Sequence, residues 1–100
     1  MSELFVSCAF CYVKDGNEMY LEGMRGAYVN IVCKGAEISD AVVSISRELA
    51  EINLSVVGFD FIFDQRFLDR ALSQYESMLV SKLHEYPVQY KDIHYFPFDA

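Results

Sequence analysis

Two stretches of this chain, residues 4–13 (LFVSCAFCYV) and 54–63 (LSVVGFDFIF), are apolar at both odd and even positions. Side chains alternate across a β-strand, so a strand with one wet face shows alternating polarity. A strand apolar on both parities belongs inside a sheet that is covered on both sides. In the second stretch Leu54, Val56 and Ile62 lie on one parity and Val57, Phe59, Phe61 and Phe63 on the other, with Asp60 as its one charge. The chain therefore carries more apolar surface in its strands than a pair of short helices can cover.

The remaining elements follow from local chemistry. Strand 4–13 ends at Asp15-Gly16, a turn dipeptide. Met19-Tyr20-Leu21 reads as a short returning strand or a loop, and Ala27–Lys34 as a second strand closed by Gly35. Ile38, Val42, Ile45, Leu49 and Ile52 recur at helical spacing after Ser39, which is expected to cap a first helix. A second helix is expected to start after Asp64 and to use Phe67, Leu68, Ala71, Leu72, Tyr75, Leu79 and Leu83 before stopping at Tyr86-Pro87. Val88–Phe96 reads as the last strand. The β-β-α-β-α-β order predicts one α+β domain over residues 1–100, a two-layer sandwich of ferredoxin-like general character. Its sheet of four or five mainly antiparallel strands is expected to carry both helices on one face.

A chain of 100 residues buries about 65% of its surface on folding, enough for one core without disulfide or metal staples. The N-terminus has no basic leader and no apolar run reaches the length of a membrane span, so no membrane association is expected. Three cysteines without a secretion signal read as reduced thiols in a cytoplasmic protein. Cys8 and Cys11 form a CxxC, but residues three apart on a strand point to opposite faces, which argues against a shared metal or a redox pair. The expectation is buried cysteine, no metal and no cofactor. The glycines match no phosphate-binding loop.

Eight Lys and Arg against fifteen Asp and Glu leave a net charge of −7 with no basic cluster, which disfavours nucleic acid. The acids concentrate between Glu37 and Asp69, where only Arg47 and Arg66 offset them. Aromatic side chains, all Phe and Tyr, make up 15% of the chain. With both helices on one face, the other would expose aromatics, and such patches mark interfaces. The nearest approach to a catalytic arrangement is Asp92 with His94, which share strand parity beside Tyr90.

Two readings follow. The first is a non-enzymatic protein-binding domain, an acidic inhibitor or immunity-type protein acting on a basic partner. Its interface candidates are Asp60, Asp64, Phe59, Phe61, Tyr90, Asp92, His94 and Tyr95. The alternative is a homodimer that binds a small ligand or acts as an enzyme, with its site at the open sheet face or dimer cleft. In composition the chain is similar to small acidic α+β immunity proteins of toxin systems, a likeness that carries over no individual residue.

Overall fold

The computed structural model describes residues 3–98. The chain forms β1 (Glu3–Val13), a short helix α1 (Glu18–Leu21), β2 (Gly26–Gly35), α2 (Ile38–Ala50) and β3 (Leu54–Asp64). A 3-10 turn at Gln65–Phe67 leads to α3 (Gln74–Val80), β4 (Val88–Gln89) and β5 (Ile93–Phe96). All pairings are antiparallel; the order is β3-β1-β2, with β4 and β5 both against the far side of β2. Fold class is thus α+β, an antiparallel sheet with helices packed on it.

The last strand is divided. Val88–Gln89 pairs with Val32–Cys33 and Ile93–Phe96 with Gly26–Val29, while residues 90–92 loop out between them. The segment near Met19 is neither strand nor open loop. Asn17 accepts from Met19 N through its side-chain oxygen (2.9 Å) and so caps the α1 turn. The same amide donates to Ile52 O (2.8 Å), which ties this turn to the end of α2.

The register sorts the side chains into two clusters. Ala9, Cys11 and Val13 of β1 join Ala27, Val29, Ile31 and Cys33 of β2 beneath Ala41, Ile45 and Leu49 of α2, all buried. Of the stripe read from the sequence, Ile45, Leu49 and Ile52 pack here, while Ile38 is 48% exposed and Ala41 takes the buried place one turn before Ile45. The N-cap of α2 is Glu37 rather than Ser39, and Asp40 accepts from Glu37 N (3.0 Å), which favours an acid at the positive end of the helix.

The opposite parity behaves differently. Val32 lies between Ile31 and Cys33, so it points away from α2, and it packs with Leu79 and Leu83 around α3. Only α2, then, lies on the face where both helices were expected; α3 crosses to the other. It is also much shorter than the expected second helix. Asp64 caps only the 3-10 turn, accepting from Arg66 N, and α3 begins at a capping box in which Ser73 and Glu76 satisfy each other's backbone N–H. The stretch from Leu68 to Leu72 runs as irregular chain.

β3 is corrected in position as well. It is an edge strand, and the strand buried on both faces is β1, flanked by β2 and β3. Two register shifts on the β1–β3 ladder leave Asp60 and Val57 without a partner, as bulges that twist an exposed edge and blunt it against further pairing.

Candidate docking surface

Strand pairing assembles the open half of the sheet. On the face away from α2, Phe10 stands opposite Tyr28 and Tyr28 opposite His94, while Tyr12 and Phe96 both stand opposite Gly26. Ring centroids lie 5.3 Å apart for Phe10–Tyr28 and 5.4 Å for Tyr28–Phe96. Phe98 closes the group edge-on, 5.5 Å from Tyr12 and 5.6 Å from Phe96. These are the offset and edge-to-face spacings that aromatic quadrupoles favour. Gly26 makes room for them, since a Cβ there would sit 2.5 Å from the Phe96 ring. Tyr12 and Phe98 keep 43% and 44% of their surface exposed. None of these five rings belongs to the residues that charge patterning singles out; four of them share one strand parity, which is the signal that finds them, and Phe98 follows just after β5.

Farther along the same face, Phe61 and Phe63 of the edge strand stack at 6.1 Å beside Leu68, Asp69 and Arg70. Phe63 is 46% exposed and Phe67, in the 3-10 turn, 73%. Apolar surface thus runs from the aromatic group toward the edge of the sheet.

The eight candidates from the sequence divide between faces. Phe59, Tyr90 and Tyr95 are partly buried and pack against the α2 core, on the side away from the aromatic group. Burial, with the Glu48 carboxylate next in effect, pushes the Tyr90 hydroxyl above its ordinary value. The Tyr95 hydroxyl accepts from Asn17 Nδ2 at 3.4 Å. Phe61, Asp92 and His94 face the open side. Asp60 is exposed in its bulge and, after burial itself, is the second cause that raises the Cys8 thiol. Asp64 is held by Arg66, whose guanidinium donates to both carboxylate oxygens and keeps the carboxyl below its usual range. Its charge is therefore largely met within the chain.

Asp92 and His94 line one depression of about 360 Å³ with Tyr28, Asn30, Tyr75 and Ile93. No hydrogen bond joins the two among the described residues. The Tyr75 hydroxyl accepts instead from the backbone N–H groups of Lys91 and Asp92, at 3.0 and 3.1 Å. That pair of bonds anchors the loop between β4 and β5 on α3 and sets where the Asp92 carboxylate stands.

The cysteines follow the strand geometry. Cys11 and Cys33 lie in the α2 core and Cys8 is buried toward the other face. Burial pushes Cys11 and Cys33 up to about 11, so they stay protonated thiols at neutral pH. Among the described residues no helix is long and apolar enough to cross a membrane. Compared with protein-family models, with curated proteins and with solved structures, the chain has no significant match.

Proposed function

We propose that this domain is a non-enzymatic protein-binding module, an inhibitor or immunity-type protein, that docks a basic partner on the open aromatic face. The single observation that carries the reading is the exposed aromatic group around Gly26, built from three neighbouring strands on a chain of net charge −7. Rigid aromatic side chains supply contact area at low entropic cost, and an acidic surface steers a basic protein toward it. The flanking carboxylates are Asp60 at one edge of the sheet and Asp92 at the other. Pairing of this face with a second copy is disfavoured, because it would bring together two chains of charge −7.

The test is kinetic. A partner captured on the immobilised domain should carry a basic surface, and its association rate should fall steeply as salt is raised. Asp60→Lys should slow association, and Phe98→Ser should speed dissociation. A salt-independent rate, or a partner that binds both variants as it binds wild type, overturns the reading. A concentration-dependent dimer in sedimentation that Phe98→Ser abolishes would identify a second copy as the occupant instead.

A further inference from the structure

We propose that the depression between α3 and β5 is the seat for one cationic side chain, an arginine or lysine, of the docked partner. This rests on the reading of the domain as a binder of basic proteins and names the point of charge recognition within it. Tyr28 and Tyr75 line the depression with aromatic rings, Asn30 adds an amide, and Asp92 adds a carboxylate. Rings combined with a carboxylate suit a guanidinium or ammonium group, which gains from ring quadrupoles and from charge-assisted hydrogen bonding together. Asp92 has no lysine or arginine within ion-pairing distance among the described residues, in contrast to Asp64 and Glu76. The contrast with Asp64 is informative. The Asp64 carboxylate is occupied by an internal arginine, whereas that of Asp92 faces a depression with no such partner among the described residues. The two N–H bonds to Tyr75 hold the Asp92 backbone at the rim, so the carboxylate is placed before any ligand arrives. The depression also adjoins the aromatic group through Tyr28 and His94, so a chain lying across the rings reaches it without a turn.

The experiment is an NMR titration of the full chain with a blocked glycyl-arginyl-glycine peptide and with its citrulline counterpart, which keeps the shape and loses the charge. The expected result is saturable shifts at Asn30, Tyr75 and His94 with the arginine peptide and none with citrulline. Asp92→Asn should weaken that binding about tenfold, the equivalent of one lost charge-assisted contact. Glu22→Gln, which removes one charge from an exposed acid that belongs to neither the aromatic group nor the depression, should leave it unchanged. Equal shifts with citrulline, or equal losses in Asp92→Asn and Glu22→Gln, overturn the proposal. Shifts confined to Tyr12 and Phe98 overturn it while supporting the wider docking reading, and shifts at neither place count against both.

Discussion

On the face under α2, Ile45, Leu49, Val29 and Ile31 are at most 1% exposed; on the opposite face Tyr12, Phe63 and Phe98 each keep more than 40% of their surface in contact with solvent. Both faces are apolar, and both have a helix. Helix length makes the difference. At 1.5 Å per residue, the 13 residues of α2 extend about 20 Å and the 7 of α3 only about 10 Å. An 11-residue strand extends about 37 Å, so α3 covers roughly a quarter of the length it lies against. One face is consequently a core, and the other is a core at one end and a platform at the other.

If that contrast is right, mutations should separate the faces by their cost. The largest effect is expected for Ile45→Ala or Leu49→Ala, which open a cavity under α2 and should cost about 3 kcal/mol in chemical denaturation. A loss under about 1 kcal/mol would mean that the α2 face is looser than its burial implies.

The second prediction concerns how α3 is held. Glu76 is 8% exposed, accepts from Arg70 and Ser73 N, and its carboxyl is lowered to about 2 from an ordinary 4.5. A depressed folded-state pKa contributes stability above the unfolded-state value, and that stability is lost as pH falls from about 4.5 through about 2. Because Arg70 is 45% exposed at its side chain, solvent screening limits the contribution to about 1 kcal/mol. Hydrogen exchange should therefore show α3 losing protection in acid before α2 does. In Glu76→Gln this difference should already be present at neutral pH; simultaneous loss in both helices would remove the distinction.

A smaller effect is expected from Gly26→Ala. The added methyl meets the far end of the Phe96 ring, which can swing aside, so the cost should be about 1 kcal/mol. The readout is a changed near-ultraviolet circular dichroism spectrum as Phe96 and Phe98 leave the group. An unchanged spectrum would show that the rings do not depend on this gap. Smallest of all, Tyr12→Ser should shift stability by less than about 1 kcal/mol, since the side chain is already half in water. Partner affinity, by contrast, should fall.

Much of this was legible in the chain. The helical stripe around Ile45 and Leu49 declares α2, whereas the apolar spacing from Phe67 onward points to a helix start well before the Ser73 capping box at which α3 begins. The opposite parities of Cys8 and Cys11 are read from their spacing and stand in the sheet. What misled was the edge strand. Residues 54–63 are as apolar as 4–13, and both patterns imply burial on two faces. An edge strand with its own helix on one side and its own aromatics half-covered on the other has the same composition as a central one.

By itself, then, the sequence determined the α+β class, the positions of the long strands, the face that α2 presents, and the acidic charge. These depend on residues close together in the chain, through periodicity and capping. Tertiary structure alone decided that β1 is the central strand, that α3 crosses to the second face, and that Phe10, Tyr12, Tyr28, Phe96 and Phe98 share one patch with Asp92 and His94 at its border. Those outcomes depend on which strand pairs with which. Pairing joins residues far apart in the chain, and the same alternating pattern is compatible with more than one order of strands.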